Sequence, residues 1–198
     1  MSENISSKYC YPGTDILINK LDIKDRAKLE ELENALIVFK IYELRKKKIT
    51  GNFDLEHLLS IHKYLLFDLY DFAGKLRTEN IAKDNFKFAD TRFIEQELIK
   101  LFEELKAESY LSGLNKEELA KRLAYYLAEL NVIHPFREGN GRVTRELIRQ
   151  LALKNNYLLD LRKVKFEEIL DVSIKSIVDA KPLEELIYKC LVKQKDIE

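Results

Sequence analysis

Hydrophobic side chains recur every three to four residues along most of the chain, which is the spacing of one face of an α-helix. In the first of these segments helical spacing is followed by Leu29, Leu32, Leu36, Phe39 and Glu43, and Tyr42 extends the apolar face. The whole pattern predicts helices over about 25–48, from Asp54 onwards, and over about 91–108, 115–133, 140–154, 165–179 and the residues after Pro182.

Two segments interrupt the helical pattern. Residues 1–24 are predicted to form an extended arm with a turn at Pro12 and Gly13. Residues 75–88 carry short alternating segments around a polar turn, which predicts a small β-hairpin or extended flap. We therefore predict an all-α fold, a helical bundle with one small β-hairpin, built as a single domain over residues 1–198.

Composition excludes some classes of protein. Lysine and arginine together number 34, as do aspartate and glutamate, so the net charge of zero argues against a general binder of nucleic acid or acidic membranes. No stretch reaches the ~20 apolar residues of a membrane span, and the N-terminus does not resemble a secretory signal, so we expect a cytoplasmic protein. Cys10 and Cys190 are interpreted as ordinary reduced thiols.

Most of the candidate chemistry lies in HPFREGNGR, from His134 to Arg142. His134 ends an apolar stripe, and Pro135 disfavours helical geometry at the residue before it, so the helix should stop there. An imidazole held at a helix end is a candidate general base near neutral pH, whereas a lone histidine would more often be a structural core residue.

Glycines and arginines after His134 favour an anion site. Gly139, Asn140 and Gly141 open the next helix, where backbone N–H groups and the helix dipole attract anions. Arg142 and Arg145 share one helical face with Arg149. Cations in a first turn oppose the dipole by about 0.3–1 kcal/mol each, and a bound polyanion would remove this conflict. A solvated or salt-bridged face is the competing interpretation.

Glu138 and Phe136 need separate explanations. A carboxylate beside a phosphate cradle would repel the ligand unless a divalent cation lay between them, and Mg²⁺ typically combines one or two carboxylates with phosphate oxygens and water. We therefore interpret Glu138 as a metal ligand. Phe136 is apolar within a polar loop and is predicted to anchor the loop in the core.

The segment HPFREGNGRVTR, from His134 to Arg145, resembles the Fic-domain signature HxFx(D/E)GNGRxxR and agrees with it at every defined position. The arm YPGTDILINKL and the segment AGKLRTENIAKDNFKFA also resemble Fic toxins and Bartonella effectors. The resemblance implies a Fic fold and transfer of AMP from Mg-ATP to a tyrosine, serine or threonine hydroxyl of a target protein, with release of pyrophosphate.

The resemblance also implies residue roles. His134 would be the base and Glu138 the ligand of Mg²⁺, while Phe136 would be the core anchor. The phosphates of ATP would be held by Gly139, Asn140, Gly141, Arg142 and Arg145. The flap would pair through its backbone with an extended target segment, and its candidate residues are Lys75, Lys83, Asp84, Asn85, Phe86, Lys87 and Phe88.

Regulation is predicted from a motif that the chain lacks. Many Fic proteins carry an inhibitory helix with [S/T]xxxE[G/N], whose glutamate pairs with the second motif arginine, here Arg145. Thr91 and Glu95 have the required separation, but Gln96 follows them; Glu33 and Asn34 supply the ending, but Leu29 stands where serine or threonine is required. We therefore predict a toxin that is inhibited in trans by a small helical antitoxin docked near Arg145 and the first long helix.

Three other functions remain open at this point. The chain could be a non-catalytic nucleotide-binding module, or a Fic enzyme that uses another phosphate-containing donor, although the intact GNGR favours adenylyl transfer. A metal-dependent nuclease is disfavoured by the zero net charge and by the single obvious metal carboxylate.

Overall fold

The computed structural model describes residues 7–47, 51–83 and 86–194. The described chain is mostly helical, which confirms the predicted fold class. Its helices are α1 (Arg26–Lys47), α2 (Leu55–Leu66), α3 (Ile94–Ala107), α4 (Lys116–Ile133), α5 (Asn140–Lys154), α6 (Phe166–Lys175) and α7 (Lys181–Cys190). Each predicted helix is present, with ends shifted by a few residues at most in α3 and α6.

Local sequence explains where several helices begin and end. The side chain of Asp54 accepts a hydrogen bond from the backbone N–H of His57 at 2.8 Å and so caps α2. Asn115 and Glu118 form a reciprocal capping box at the start of α4. The same helix ends at His134, which adopts the left-handed conformation (φ 50°, ψ 62°) immediately before Pro135. This places the imidazole at a helix end, as predicted.

Helix α4 occupies the centre of the fold, where it packs against α3, α5 and α7, and α5 also packs against α2. Leu119, Leu123 and Ala124 of α4 are fully buried, as is Val143 of α5. Since α4 and α5 flank the segment 134–139, the loop between them is held by the best-packed part of the protein.

Four short strands accompany the helices in the described ranges. β1 (Ala82–Lys83) pairs antiparallel with β2 (Phe86–Lys87), which gives the predicted hairpin; its turn residues Asp84 and Asn85 lie outside the described residues. Lys75 lies in a bend before the extended segment that leads to β1, and so outside the hairpin itself. β3 (Tyr157–Leu159) pairs with β4 (Leu191–Lys193), a sheet that the hydrophobic pattern does not predict.

The buried face of α1 agrees with the predicted one only in part. The first three residues of the predicted face are buried or pack against the core, whereas Phe39 and Tyr42 are more than half exposed. Ile37 and Leu44 are also buried, although the predicted face did not include them. The prediction was wrong for Phe39 and Tyr42 because α1 offers apolar residues on more than one side, so spacing alone does not decide which side faces the core.

The N-terminal arm is tied to the base of the flap. Cys10 and Leu17 form an isolated antiparallel bridge, and the hydroxyl of Ser7 donates to Glu79 at 2.7 Å. The backbone N–H of Lys8 also donates to Glu79. Cys10 and Cys190 are both buried and free. Within the described residues, none of the helices combines the length and apolar character that crossing a membrane would require.

Candidate active site

His134 is fixed by a hydrogen bond and by a stacked ring. Its Nδ1 lies 3.3 Å from the carbonyl of Asn131 and can only donate to that oxygen, which leaves the lone pair on Nε2. The imidazole stacks on Phe88, the last residue of the flap, with ring centroids 3.8 Å apart and an interplanar angle of 19°. His134 therefore presents an unprotonated nitrogen in a defined orientation beside the flap.

Arg77 holds the backbone of His134 and of neighbouring segments through hydrogen bonds. Its guanidinium donates to the carbonyls of His134 and Glu79, each at 2.8 Å, and also to those of Ala89 and Ile133. The side chain is only 2% exposed, and all four of these acceptors are backbone oxygens. Arg77 thus joins the end of α4 to both sides of the flap base, a role that the sequence did not reveal.

Burial lowers the pKa of His134 to about 4, an effect to which the nearby charges of Arg77 and Lys83 add and which the hydrogen bond to Asn131 opposes. The imidazole is therefore neutral at pH 7 and can accept a proton without first losing one. A histidine in water has a pKa of ~6.5 and would be partly protonated in mildly acidic solution.

If His134 is the general base of AMP transfer, the reaction that the Fic resemblance implies, this reaction should retain its rate in mildly acidic buffer. We expect kcat/KM to stay level from about pH 8 to pH 5.5 and to fall tenfold per pH unit only below the His134 pKa of about 4. A rate profile against pH, with circular dichroism at each point to show that the protein stays folded, measures this. An acid limb centred near pH ~6.5 would contradict the environment described for His134.

Phe136 and His62 hold the loop between α4 and α5. Phe136 is fully buried and stacks on His62 with ring centroids 3.8 Å apart, almost parallel. The backbone N–H of Gly74 donates to His62 Nδ1 at 2.7 Å, so the proton of this neutral ring lies on Nε2, which donates to the carbonyl of Glu138. Burial lowers the pKa of His62 to about 4. This histidine therefore positions the backbone beside Glu138.

The side chain of Asn140 closes the loop. Its Oδ1 accepts from the N–H of Phe136 at 2.8 Å, and its Nδ2 donates to the carbonyl of the same residue at 2.7 Å. The amide is thus committed within the loop, so any contribution of Asn140 to phosphate binding comes from its backbone N–H. Gly139 adopts φ 81°, and a Cβ there would lie 2.6 Å from Leu66, so this position requires glycine.

The start of α5 presents backbone donors to the adjoining clefts. Gly139 N–H donates to the carboxylate of Glu138 at 2.8 Å. The first helical hydrogen bonds are those from Arg142 and Val143 to the carbonyl of Gly139. The N–H groups of Asn140 and Gly141 precede them and have no intrahelical acceptor, which is the arrangement that binds anions at helix N-termini.

The three arginines of α5 lie in different electrostatic surroundings. Arg149 pairs with Glu146 of the same helix at 2.7 Å, so its charge is already neutralised. Arg142 pairs with Glu33 of α1 and donates to Asn34. Both arginines are therefore salt-bridged, although the guanidinium of Arg142 keeps N–H groups that contact neither Glu33 nor Asn34.

Arg145 is the exception. It forms no ion pair with any carboxylate in the described ranges, and its guanidinium lies close to Gly141, where a Cβ would be 2.8 Å from Nη1. Burial and the neighbouring charge of Arg142 lower its pKa. Arg145 is partly buried, and a guanidinium shielded from water without a counter-ion is costly, so this arginine needs an anion more than Arg142 or Arg149 does.

Glu138 is the only residue of this loop that could hold a cation. Its carboxylate is half-buried, accepts from Gly139 N–H and lines a cleft that also contains Arg142. The described residues contain no cluster of three or more aspartate, glutamate, histidine or cysteine side chains suited to a metal. The donor set fits Mg²⁺ that takes its other ligands from phosphates and water, and does not fit a closed all-protein metal site.

Three cavities surround the N-terminus of α5. The largest, of about 510 Å³, contains His134, Gly141 and Arg145 and separates the flap from α6. A cleft of about 460 Å³ lies on the side of Glu138 and Arg142, and one of about 260 Å³ lies between α1 and α5. The sequence did not identify the other residues of the largest cavity, which are Leu127, Asn131, Leu170, Ser173, Ile174 and Ile177.

The chain matches the model of the Fic/DOC family over residues 52–152, a range that includes α2, the flap, α4 and most of α5. It is 43% identical to Protein adenylyltransferase VbhT of Bartonella schoenbuchensis over 88% of the chain, but spans only 36% of that protein's length. It is 35% identical to "Probable protein adenylyltransferase Fic" of Escherichia coli K12 over 80% of the chain and 78% of that protein.

Solved structures resemble the fold over nearly the whole chain. The BepC protein of Bartonella tribocorum, with bound AMPPNP, superposes with a TM-score of 0.89 at 27% identity, covering 94% of this chain and 97% of that one. The N-terminal Fic domain of a Bartonella quintana effector, with bound ADP, gives the same TM-score and identity with 96% of each chain covered. Both of these neighbouring structures therefore contain a bound adenine nucleotide.

Proposed function

Since the chain belongs to the Fic/DOC family, we propose that it is a protein adenylyltransferase that transfers AMP from Mg-ATP to a hydroxyl group of a target protein. The observation that carries this proposal is the placement of neutral His134 and unpaired Arg145 in one cavity, on either side of the α5 N-terminus. A base and an anion site that share a cavity are what nucleotidyl transfer requires.

The chemistry assigned to His134 is proton transfer. Its Nε2 takes the proton from the target hydroxyl as the oxygen attacks the α-phosphorus of ATP. The bond between the α-phosphorus and the bridging oxygen breaks, and pyrophosphate leaves with the electron pair. The N–H groups of Asn140 and Gly141 stabilise the negative charge on the phosphates. The guanidinium groups of Arg142 and Arg145 contact the same phosphates and add to this stabilisation.

The nucleoside is proposed to lie between the flap and α6. Leu170, Ile174 and Ile177 of this region offer an apolar surface to the nucleobase. Phe88 forms part of the opposite wall of the cavity. The Nδ2 of Asn131 is buried and finds no hydrogen-bond partner in the described part of the chain. An adenine ring nitrogen would provide the acceptor that this amide lacks.

Magnesium and the target protein complete the proposal. Glu138 would hold Mg²⁺, which would neutralise phosphate charge when bound. The backbone of β2 would pair with an extended segment of the target, and Lys83, Phe86, Lys87 and Phe88 would surround that segment. In this proposal the arm 1–24, the flap 75–88 and the loop 134–142 belong to one Fic domain over residues 1–198, which acts in the cytoplasm.

Labelled ATP tests the proposed reaction. The protein is incubated with Mg²⁺, a bacterial lysate and ATP labelled at either the α- or the γ-phosphate. We expect protein-bound label from α-labelled ATP alone, and loss of it when Mg²⁺ is omitted or in Glu138→Gln. Label transferred from the γ-phosphate would instead indicate a kinase, and binding of ATP without transfer would indicate a non-catalytic nucleotide-binding module.

The proposed toxin role depends on an inhibitor in trans. The cleft of about 260 Å³ between α1 and α5 is lined by Ile41, Arg45 and Arg145, among others. On α1 beside this region, Val38, Phe39 and Tyr42 are exposed by more than half, which favours contact with a partner. We propose that a small helical antitoxin covers this face and inserts a carboxylate towards Arg145.

Co-expression with the product of the adjacent open reading frame tests this regulation. We expect a stable complex, loss of AMP transfer, and weaker inhibition when Phe39 and Tyr42 are replaced together by serine. Full activity in the presence of that product, with no complex formed, would exclude it as the antitoxin and remove the support for the toxin role.

A further inference from the structure

A carboxylate that the sequence associated with inhibition lies instead against the first arginine of α5. Arg142 Nη1 donates to Glu33 Oε1, and Arg142 Nη2 donates to Asn34 Oδ1 at 3.0 Å. The hydroxyl of Tyr70 donates to the second oxygen of Glu33. These contacts join α1, the segment after α2 and the start of α5, and the first of them spans 109 residues of sequence.

The contacts among Glu33, Tyr70 and Arg142 are largely buried, so they differ from a surface ion pair and hold the side chains in place. Glu33 is 8% exposed and Tyr70 is 1% exposed, so the carboxylate has little access to solvent. Arg142 supplies the only positive charge in the described ion pairs of Glu33. A carboxylate buried in this way holds its cation firmly, because separation of the two would leave an unpaired charge.

The guanidinium of Arg142 is therefore oriented before any ligand arrives. A free arginine side chain loses considerable rotamer freedom when it binds a phosphate, and α1 has already restricted this one. Guanidinium carries five N–H donors, of which the contacts to Glu33 and Asn34 occupy two, so the others remain for a phosphate. Glu33 also offsets the repulsion between Arg142 and the neighbouring Arg145, which would otherwise favour movement of Arg142 away from the site.

We propose that Glu33, supported by Tyr70 and Asn34, is a positioning residue that holds Arg142 at the phosphate site for ATP. The inference rests on the proposed function only in that Arg142 contacts nucleotide phosphates; it does not depend on which group is transferred afterwards. The role is opposite to that of an inhibitory glutamate, which would compete with the phosphates for an arginine.

Binding of AMPPNP in the presence of Mg²⁺, measured by titration calorimetry, tests this role. We expect Glu33→Ala to weaken binding about tenfold and Glu33→Gln by a smaller factor, because Gln keeps the shape of the side chain and loses its charge. Tyr70→Phe should weaken binding by about twofold to threefold, because it removes one hydrogen bond and keeps the carboxylate. In transfer assays the effect of Glu33→Ala should fall on KM for ATP more than on kcat.

Two controls separate positioning from general damage. Glu30→Gln removes a negative charge from the same helix and the same cleft without touching Arg142, and should leave AMPPNP affinity within about twofold of the original. In a chain that already carries Arg142→Ala, adding Glu33→Ala should cause no further loss of affinity, because Glu33 acts through that arginine.

The proposal would be overturned if Glu33→Ala and Glu33→Gln bound AMPPNP as tightly as the original protein or more tightly, or if they transferred AMP faster. Tighter binding is what we would expect if Glu33 competed with the phosphates and its carboxylate were then removed. If Glu33→Ala does not fold, Glu33→Gln alone decides. Failure of the proposed function is distinguishable: the original protein would then bind AMPPNP, with Glu33 affecting that binding, but would label no protein in the lysate.

Discussion

Replacement of His134 by asparagine should lower AMP transfer by about 10²–10⁴-fold and leave nucleotide affinity within about twofold. The imidazole is the proposed base, whereas the phosphates contact the start of α5 and its arginines. Asparagine is the appropriate replacement because His134 has φ 50°, and asparagine tolerates the left-handed region better than alanine does. Transfer from α-labelled ATP and calorimetric binding of AMPPNP measure the two quantities.

His134→Ala should lose the same activity but also some stability, since it adds backbone strain and leaves Phe88 without its stacked partner. The comparison of the two variants therefore separates chemistry from folding. If His134→Asn retained more than a tenth of the original transfer rate, with the protein saturated by ATP, another group would have to accept the proton.

The second large expected effect is a loss of stability when the Arg77 guanidinium is removed. Arg77→Leu removes a buried donor to four backbone carbonyls, those of Glu79, Ala89, Ile133 and His134; the bond to Ile133 is buried and the other three are partly buried. An unsatisfied buried carbonyl costs about 1–3 kcal/mol, and partial entry of water reduces the sum, so we expect a loss of about 3–5 kcal/mol in the free energy of unfolding.

Urea denaturation measures the free energy of unfolding, and two variants make the result specific. Arg77→Lys keeps the charge but cannot reach all four oxygens, so it should lose roughly half as much stability. Arg92→Leu removes an arginine that pairs with Asp90 on the surface and should change stability little. Equal stability of Arg77→Leu and the original protein would show that water replaces the guanidinium.

Because Arg77 holds His134 and the flap base together, Arg77→Lys should also lower AMP transfer.

Local signals in the sequence were sufficient to predict much of the fold. Pro135 predicted the end of α4, and Asp54 predicted the start of α2, since each acts through its immediate neighbours. The β3–β4 pair was missed because three-residue strands show no clear alternation, and Leu159 and its partner Leu191 are far apart in sequence. The buried side of α1 was predicted only in part for a related reason: apolar residues occur on several sides of the helix, and tertiary contacts decide which of them are buried.

The candidate site was predictable where its residues lie next to one another in the sequence. His134, Glu138 and Gly139 lie within six residues, so their types and spacing could be interpreted together. The residues that support them come from elsewhere in the chain: Arg77 contacts His134 across 57 residues, and His62 contacts Glu138 across 76. Neither carries a local signal, because the same side chains at the same positions would suit a solvated loop or an ordinary core.

The ring that Asn140 closes with the backbone of Phe136 restricts the length of the chain between them. Both bonds require three intervening residues, and one insertion or deletion would separate the amide from at least one partner. The side chain of Arg137 takes no part in this ring, so its chemistry can vary while the spacing cannot. A change of loop length would also shift Glu138 relative to the helix that follows it. Position 137 can therefore diverge by substitution, whereas the loop cannot gain or lose residues.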